Sequence, residues 1–361
     1  MIHIIIGTKA QLVKMAPAMV LLADRGIPYN FIYTGQHRDT IEEMLEDFGV
    51  KKPDVILYKG QDITSASSMI FWFCRILFLS LVRKQAIFRG DNQGIVLVHG
   101  DTFSTLLGAL MGRIAGLKVG HVESGLRSYH LFHPFPEEIT RILTFRLSHI
   151  LFCPGDWAMK NVASIKKEKI NIQANTLYDS LALASRGSRL FDHLPDYPFI
   201  IVSLHRYENI FQKSRFEKII GILQWIAEYY KILFILHPPT VKQLHHFGLY
   251  ERLNREMNIS LRPRYNHTDF ISLLEKCEFV VTDGGSLQEE TYYMGKPCLL
   301  LRKATERQEG IGENVVLSNY DERIIQGFCR SYRSYRHEPL KLHINPSEVI
   351  VQTIIKYSEG C

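Results

Sequence analysis

The chain alternates short apolar runs with longer helical patterns, and this alternation limits its fold more than any other feature. Residues 2–6, 95–98, 119–122 and 150–153 are short runs rich in β-branched or large apolar residues, and they are predicted strands. Segments of helical periodicity separate these runs. Because successive strands joined by helices run in the same direction, the helices cover both faces of one parallel sheet. The sequence therefore predicts an α/β fold of the doubly wound type.

The same rhythm restarts in the second half of the chain. Residues 199–202, 232–236, 279–282 and 299–301 are predicted strands, again separated by helical segments. Periodicity fades around residues 185–198, where two prolines indicate a linker. With 361 residues, the chain is long enough for two domains. We expect one Rossmann-like domain over residues 1–185, a second over residues 198–345, and a C-terminal helix over residues 346–361.

Composition excludes several classes of protein. Hydrophobic residues make up 46% of the chain and charged residues 22%, which is typical of a globular protein and unlike a disordered or polytopic membrane chain. The 43 basic and 37 acidic residues give a net charge of +6. Because this excess is mild and dispersed, it does not indicate nucleic-acid binding, and it suits an enzyme of anionic substrates.

Cysteine usage and the N-terminal residues both predict a cytoplasmic protein. The six cysteines form no CxxC pair and fit no zinc-binding spacing, so we expect reduced core cysteines and no metal site. Residues 1–7 lack the charged segment and cleavage site of a signal peptide.

Polar residues directly follow the predicted strands of both halves. A lone polar residue at such a position is commonly a helix cap. In a parallel sheet, however, the carboxyl ends of the strands lie at one edge, where ligands bind. Six strand ends carry charged or imidazole side chains here, namely those followed by residues 7–11, 99–102, 121–127, 203–206, 237–239 and 282–286. Together they predict a binding site at these edges.

One of these turns has the features of a phosphate site. Gly284, Gly285 and Ser286 lie between a predicted buried strand and a helix, so the backbone can approach a ligand closely. The free N–H groups and positive dipole end of the helix favour an anion. Glu290, one turn further on, could accept hydrogen bonds from ribose hydroxyls. The chain contains neither GxxxxGK[ST] nor GxGxxG, so no motif supports an ATPase or a nicotinamide-dependent enzyme, and we expect no cofactor.

Three carboxylates are candidate acids and bases. Asp101 and Glu123 end neighbouring predicted strands, and Glu137 opens a helix, where an acid also suits the helix dipole. Together they could supply proton transfer on two faces of one substrate. His205 is a fourth candidate catalytic group, in the second half of the chain.

In combination, these motifs resemble the bacterial UDP-N-acetylglucosamine 2-epimerases. The resemblance runs in order from about residue 5 to 310 and rests on residues 99–102 (HGDT), 120–127 (GHVESGLR), 134–138 (PFPEE), 205–209 (HRYEN), 282–290 (TDGGSLQEE) and 305–309 (TERQE). It implies a GT-B fold, with two Rossmann-like domains, UDP in the cleft between them, and a C-terminal helix that returns to the first domain.

The resemblance also implies roles for individual residues. Asp101, Glu123, Glu137 and His205 match the catalytic positions of the family. The positions expected to contact UDP or the rest of the substrate are Lys9, Lys14, Arg127, Arg206, His237, Gly284, Gly285, Ser286, Glu290 and Arg307. Gln36, His37 and Arg38 resemble the segment that binds a second, activating UDP-GlcNAc in non-hydrolysing members.

The chain departs from the family pattern at a few positions. Lys9 replaces an arginine, which changes a two-pronged donor into a point charge. The order Asp-Ser-Gly-Gly becomes Asp-Gly-Gly-Ser at residues 283–286, and Gln308 replaces a proline. These departures leave open which UDP-2-acetamido sugar is the substrate. A UDP-sugar with other substituents, as used in capsule or O-antigen pathways, is one alternative.

The resemblance predicts interconversion of UDP-GlcNAc and UDP-ManNAc, for surface polysaccharide synthesis, by elimination and re-addition of UDP. Three alternatives remain open: a hydrolysing epimerase that releases ManNAc, a GT-B glycosyltransferase that uses a UDP-sugar, and a catalytically silent UDP-sugar sensor. The motifs at residues 134–138 and 205–209 favour the non-hydrolysing type. The presence of all three carboxylates and His205 argues against a silent sensor.

One apolar helix is unusual for such an enzyme. Residues 68–82 are too short to span a membrane, and Arg75 lies in their middle. Residues 69–82 are nevertheless more apolar than a helix with one buried face requires, and basic residues follow up to residue 89. We expect this helix to lie at a homodimer interface or, failing that, on an anionic membrane surface, with Trp72 and Phe78 exposed.

Overall fold

The computed structural model describes residues 1–37, 41–63, 65–130, 136–186 and 195–359. The chain divides into two compact units. Unit 1 comprises Met1–Leu183 and Leu342–Cys361, and unit 2 comprises Ala184–Lys341. Residues 187–194 of the predicted linker region lie outside the described residues.

Unit 1 is built on a parallel sheet. Its described strands are β1 (Ile2–Ile6), β2 (Tyr29–Tyr33), β3 (Val55–Ile56), β4 (Ile95–His99), β5 (Lys118–Val122), β6 (Ile150–Cys153) and β7 (Glu168–Asn171). They lie in the order β3-β2-β1-β4-β5-β6-β7, and every neighbouring pair is parallel. After β1 the chain adds β2 and then β3 on one side of the sheet, and it then crosses to the other side of β1 to add β4. The sheet therefore has a topological switch point between the carboxyl ends of β1 and β4.

The helices of unit 1 connect these strands. Up to residue 186 they are α1 (Lys9–Asp24), α2 (Ile41–Asp47), α3 (Ala66–Val82), α4 (Lys84–Ile87), α5 (Phe103–Ala115), α6 (Glu137–Leu147), α7 (Asp156–Asn161) and α8 (Leu177–Arg186). Helix α1 begins directly after β1 because Thr8 caps it. The Thr8 hydroxyl accepts from the Gln11 N–H, and the Gln11 side chain accepts from the Thr8 N–H at 3.1 Å. This capping box places Lys9 and Lys14 on the helix that follows the first strand.

Unit 2 repeats the same architecture. Its strands are β8 (Phe199–Ser203), β9 (Lys231–Ile235), β10 (Ile259–Arg262), β11 (Val280–Thr282), β12 (Cys298–Leu300) and β13 (Val315–Leu317), in the order β10-β9-β8-β11-β12-β13. All neighbouring pairs are parallel. The switch point lies between β8 and β11. The predicted α/β fold with two doubly wound sheets is confirmed.

The helices of unit 2 lie between and after its strands. They are α9 (Tyr207–Ile210), α10 (Lys213–Ala227), α11 (Pro238–His246), α12 (Tyr250–Asn254), α13 (His267–Lys276), α14 (Gly285–Tyr293) and α15 (Glu322–Ser331), followed by a 3-10 helix over Tyr332–Tyr335. Phe216, Phe234, Phe279 and Phe328 are fully buried in the core of this unit.

The last helix, α16 (Pro346–Glu359), belongs to unit 1. Ile350, Val351 and Ile354 are fully buried in the same core as Leu12 of α1. At the start of α16, the Ser347 N–H donates to Asp179 Oδ2 at 2.7 Å. Unit 1 is therefore completed by a segment that follows unit 2 in the chain.

Helix α3 differs in part from its sequence-based prediction. Phe78 is exposed, as expected, but Trp72 is fully buried and its Nε1–H donates to the Thr34 carbonyl at 3.1 Å. The prediction of an exposed Trp72 was wrong because both faces of this helix are apolar and periodicity alone does not show which one packs inward. None of the described helices is both long enough and apolar enough to cross a bilayer.

The cysteines follow the expected pattern with one exception. Cys153, Cys277, Cys298 and Cys329 are buried, and burial raises the pKa of each thiol to about 12. Cys74 is exposed on α3, and Cys361 lies outside the described residues.

Candidate active site

Glu123 is a strongly constrained carboxylate of unit 1. It follows β5 directly and is buried, and its backbone adopts a left-handed conformation with φ 66°. A residue with a Cβ pays a steric cost for this conformation, and such residues concentrate at functional sites. The turn therefore directs a carboxylate to the carboxyl edge of the sheet at a cost in local strain.

Two donors from different elements converge on this carboxylate. Lys14 Nζ lies 2.5 Å from Glu123 Oε1, and the Asn175 side-chain amide donates to the same oxygen. Glu123 Oε2 lies 3.9 Å from His99 Nδ1, and a Cβ added at Gly100 would sit 3.1 Å from Oε2. Glu123 is thus held in one orientation by a buried ion pair and a buried amide.

Asn175 is a residue of the candidate site that the sequence analysis missed. It lies after β7 and just before α8, and its side-chain carbonyl accepts from the Leu177 N–H at 3.2 Å. This contact orients the amide so that its NH₂ group points to Glu123. The available sequence signal was an Asn-Thr pair before a helical segment, which is typical of a simple cap.

Asp101 is held by an arginine from α6. Arg141 Nη2 and Nε lie 2.5 Å and 2.8 Å from Asp101 Oδ2. The Thr140 hydroxyl donates to the backbone carbonyls of Asp101 and Glu137. Arg141 and Thr140 therefore join the β4 turn to the start of α6, which brings Asp101 and Glu137 into one region of unit 1. Arg141, too, was not identified from the sequence.

The two acids that open α6 differ in their surroundings. Glu137 is half-buried at the first position of the helix, whereas Glu138 is fully buried. Glu138 accepts from Arg127 Nε at 2.5 Å and from the Ser128 N–H at 3.0 Å. Burial alone raises the pKa of Glu138, but these hydrogen bonds and the arginine charges outweigh it and lower the pKa overall. Glu138 is a structural anchor, and Arg127, predicted to contact substrate, is engaged with it.

His121 stabilises the same carboxyl edge of the unit 1 sheet as a neutral side chain. Its ring is fully buried, and burial lowers its pKa to about 4. The neutral ring places Nε2 2.7 Å from the Gly100 carbonyl, to which it donates. His121 therefore fixes the Gly100 turn between β4 and α5.

The predicted second UDP-GlcNAc segment is described only in part. Gln36 Oε1 accepts from the Ser104 N–H at 3.2 Å and the Ser104 hydroxyl at 2.7 Å, so this side chain ties the β2 end to α5. The His37 N–H donates to the Gly7 carbonyl at 2.8 Å, and burial lowers the His37 pKa. Arg38 lies outside the described residues, as do residues 134 and 135 of the PFPEE motif.

In unit 2, Asp283 organises the switch point between β8 and β11. This fully buried carboxylate accepts from the backbone N–H groups of His205 at 3.0 Å and Arg206 at 3.1 Å. It also accepts from the Asn209 amide at 2.9 Å. Asp283 therefore fixes the turn that presents His205 and Arg206.

His205 and His237 form a stacked pair at this turn. Their ring centroids are 4.4 Å apart with planes at 22°. Burial lowers the pKa of His237 to about 3, and the neighbouring His205 contributes to this shift. Burial also lowers the pKa of His205, although the Asp283 charge opposes the shift. Both rings are therefore neutral at pH 7, and the His205 side chain remains 40% exposed.

Basic side chains near α14 are paired with acids. Glu306 accepts from Arg206 at 3.0 Å and from Arg302 at 2.9 Å. Burial alone raises the pKa of Glu306, but the arginine charges outweigh it and lower the pKa to about 2. Arg307 Nη1 lies 2.5 Å from Glu289 Oε1. The arginines are thus held in fixed positions by the largely buried Glu306 and the fully buried Glu289.

The start of α14 retains the properties of an anion site. Gly284 is its N-cap and Gly285 its first residue, and the first turn carries no acid. A Cβ at Gly284 would sit 3.0 Å from His205 Cε1, and one at Gly285 would sit 2.8 Å from Arg307 Nε. A side chain at either position would therefore force the neighbouring His205 or Arg307 side chain to shift, while Ser286 is exposed and Glu290 is buried on the next turn.

The described residues hold no group of three or more His, Cys, Asp or Glu side chains arranged to bind a metal ion. What the geometry offers instead is two carboxylates, Asp101 and Glu123, at one sheet edge of unit 1, a third, Glu137, at the start of α6, and a histidine pair beside a helix N-terminus in unit 2. Two parallel, doubly wound sheets with these features define a two-domain α/β protein with one Rossmann-like sheet in each domain.

Comparison with known proteins identifies the family within that class. A sequence model of the family described as UDP-N-acetylglucosamine 2-epimerase matches residues 20–345. A UDP-N-acetylglucosamine 2-epimerase of Methanococcus maripaludis is 30% identical over 93% of both chains. The chain belongs to the UDP-N-acetylglucosamine 2-epimerase family.

Solved structures agree with this result. A UDP-GlcNAc 2-epimerase from Neisseria meningitidis bound to UDP-GlcNAc aligns with a TM-score of 0.83 and 27% identity, covering 98% of this chain and 99% of the other. The Methanocaldococcus jannaschii enzyme in complex with UDP-GlcNAc and UDP aligns with a TM-score of 0.81 and 26% identity, with the same coverage. The predicted family and GT-B fold are confirmed.

Proposed function

We propose that this protein interconverts UDP-GlcNAc and UDP-ManNAc, or a related UDP-2-acetamido pair, without releasing free sugar. The observation that carries the proposal is the set of three carboxylates in unit 1, in which Glu123 is oriented by Lys14 and Asn175 and Asp101 is oriented by Arg141. Family membership and the structures of relatives bound to UDP-GlcNAc support the choice of substrate.

The reaction divides into two proton transfers and two changes at C1. The C1–O bond to UDP breaks, which builds positive charge at C1 and acidifies the proton on C2. A carboxylate removes that proton, and the electron pair of the broken C2–H bond forms a C1–C2 double bond. This step leaves a glycal and UDP. A second acid then protonates C2 from the opposite face as UDP returns to C1. This series of reaction steps needs an acid–base group on each face of the sugar ring, and it involves no net oxidation.

We propose that unit 2 holds the nucleotide. The N-terminus of α14 offers backbone N–H groups and a positive dipole to the diphosphate. Glu290 is placed one turn further along the same helix, where a carboxylate can accept from the two ribose hydroxyls. The exposed and neutral His205 ring beside this turn is the contribution of unit 2 to acid–base chemistry.

Proton NMR of UDP-GlcNAc with the enzyme in deuterated water tests the function. Deuterium at C2 together with UDP-ManNAc signals supports the proposal. Free ManNAc and UDP would show the hydrolysing reaction instead. An unchanged spectrum would leave a glycosyltransferase or a sensor and would reject epimerisation.

Three variants test the assignment of the carboxylates. Asp101→Asn, Glu123→Gln and Glu137→Gln are each expected to lower turnover by about 10²–10⁴-fold, because each removes an acid–base group. UDP affinity, measured by calorimetry, should change little in all three. Glu43→Gln, an exposed acid on α2, is the matched control. Wild-type turnover in all three variants would refute the assignment.

The nucleotide site has its own test. Glu290→Ala is expected to weaken UDP binding by about 1.5–3 kcal/mol, the range for a lost hydrogen bond to a charged group. Lys9→Ala should weaken it less, because Lys9 is partly exposed at the start of α1. Unchanged UDP affinity in the Glu290 variant would place the ribose elsewhere.

A further inference from the structure

Tyr320 joins two loops at the carboxyl edge of the unit 2 sheet. It lies between β13 and α15, and its hydroxyl group donates to Asn209 Oδ1 at 2.6 Å. Asn209 is fully buried on α9, which begins directly after the turn that presents His205. The two residues are 111 positions apart in the sequence. This hydrogen bond therefore ties the loop after the edge strand β13 to the turn at the switch point of the sheet.

The backbone that carries the hydroxyl group is held in an unfavourable conformation. Asn319 and Tyr320 have φ values of 50° and 60°, so two successive residues with a Cβ are left-handed. Asparagine adopts this conformation more readily than most residues, but tyrosine does not. The Asn319 N–H donates to the Arg302 carbonyl at 3.1 Å, and the Arg215 guanidinium lies 5.3 Å from the centre of the Tyr320 ring. These contacts hold a strained loop of the kind that concentrates at functional sites.

The Asn209 amide has one orientation that satisfies its partners. Its NH₂ group donates to Asp283 Oδ2 at 2.9 Å and to the Leu301 carbonyl at 3.0 Å. Both of these partners are acceptors, so a flipped amide would set oxygen against oxygen. The Tyr320 hydroxyl supplies the donor that the buried amide oxygen needs. With all three bonds made, the amide nitrogen stays on Oδ2 of Asp283.

Asp283 transmits this constraint to His205. Its Oδ2 also accepts from the Arg206 N–H at 3.1 Å. Its Oδ1 accepts from the His205 N–H at 3.0 Å and lies 3.6 Å from His205 Nδ1. Rotation of the carboxylate would therefore move both backbone contacts at once. Because Asn209 holds Oδ2, Oδ1 remains directed at His205.

We propose that Tyr320 is a positioning residue for His205. It acts through a relay of hydrogen bonds that runs from Tyr320 to Asn209 and on to Asp283. The relay holds the imidazole in the orientation that proton transfer needs, since a small displacement of a catalytic group lowers the rate strongly. The proposal rests on the proposed function in one respect, because it takes His205 as the acid–base group of unit 2.

Tyr320→Phe tests the relay, because it removes the hydroxyl group and keeps the ring. Tyr230→Phe is the matched control, since Tyr230 is also half-buried in unit 2 and its hydroxyl donates to the Cys329 carbonyl at 2.7 Å. Each variant loses one hydrogen bond of similar length, but only the bond of Tyr320 leads to His205. Thermal unfolding of both variants verifies that they are folded at the temperature of the assays.

Turnover of UDP-GlcNAc separates positioning from a general loss of stability. In Tyr320→Phe, kcat should fall about tenfold, because the carboxylate that orients His205 is held less firmly. UDP affinity, measured by calorimetry, should stay within about twofold of the wild type, because the proposed nucleotide contacts on α14 are unchanged. Tyr230→Phe should match the wild type in both measurements. A wild-type kcat in Tyr320→Phe, or an equal loss in Tyr230→Phe, would overturn the proposal.

NMR of the His205 ring tests the relay without catalysis. In histidine-labelled protein without substrate, the ring signals of His205, identified by their loss in His205→Gln, should shift in Tyr320→Phe. They should coincide with the wild type in Tyr230→Phe. Unchanged ring signals in Tyr320→Phe would refute the relay. If the signals shift but the wild type does not epimerise UDP-GlcNAc, the relay is supported and the proposed function is refuted.

Discussion

The buried ion pair between Lys14 and Glu123 gives a quantitative test of the unit 1 site. Both side chains are about 5–6% exposed, and their charged atoms are 2.5 Å apart. Removing one partner of a buried pair leaves the other charge uncompensated and costs about 3–5 kcal/mol. For Lys14→Met we expect about 3 kcal/mol, because Asn175 still donates to Glu123. For Glu123→Gln we expect about 3–5 kcal/mol, because the ammonium remains buried.

The double variant distinguishes pairing from general packing. Lys14→Met with Glu123→Gln leaves no buried charge from this pair, so its cost should be about 2–3 kcal/mol less than the sum of the single costs. Unfolding of the four proteins is measured by denaturant titration, and hydrogen exchange of the β5 amides assigns the loss to unit 1. Lys51→Met is the control, since Lys51 pairs with Asp54 at 2.6 Å but is 41% exposed and should cost less than about 1 kcal/mol. Additive single costs would refute the view that the two charges stabilise each other.

Three further outcomes are expected. Asp283→Ala should lower the free energy of unfolding by about 2–4 kcal/mol and turnover more than tenfold, because the backbone N–H groups of the His205 turn lose their acceptor. Thermal unfolding measures the first effect, and the NMR assay of UDP-GlcNAc measures the second. Burial raises the pKa of Asp179 to about 6, so between pH 4 and 6 the folded state holds a proton that the unfolded chain has released, and the contribution of this group to stability falls as pH rises from about 4 to 6. Asp179→Asn removes this pH-dependent loss of stability. In urea titrations the variant should be about 2–3 kcal/mol more stable than the wild type above pH 6 and no more stable near pH 4. Gly285→Ala should weaken UDP binding about tenfold in calorimetry, because the new Cβ would meet Arg307 Nε at 2.8 Å.

The parts of the site that follow directly from a strand end could be predicted from the sequence. Asp101 and Glu123 come directly after predicted strands, and the register of parallel neighbours places both at one edge of the sheet. Arg141 and Asn175 could not be found in this way. They reach Asp101 and Glu123 across 40 and 52 residues of sequence, and such pairs are fixed by tertiary packing.

The elements that escaped prediction are those with weak local signals. Strand β7 contains Glu168, Lys169 and Asn171, so its composition does not indicate a strand, and it forms only because β6 offers an edge to pair with. Helix α1 also begins with a weak local signal, because its first turn lacks apolar periodicity. The Thr8–Gln11 capping box, not hydrophobic patterning, determines where it starts.

The discontinuity of unit 1 has a consequence for how the protein is made. Ile350, Val351 and Ile354 fill the core beside α1, yet they leave the ribosome only after all of unit 2 has been translated. At about 5–20 residues per second, that interval is on the order of ten seconds. During it the nascent chain exposes the apolar surface of α1 that α16 later covers. Unit 2 is contiguous and can complete its own core first, so the unit that begins synthesis is the last to finish folding.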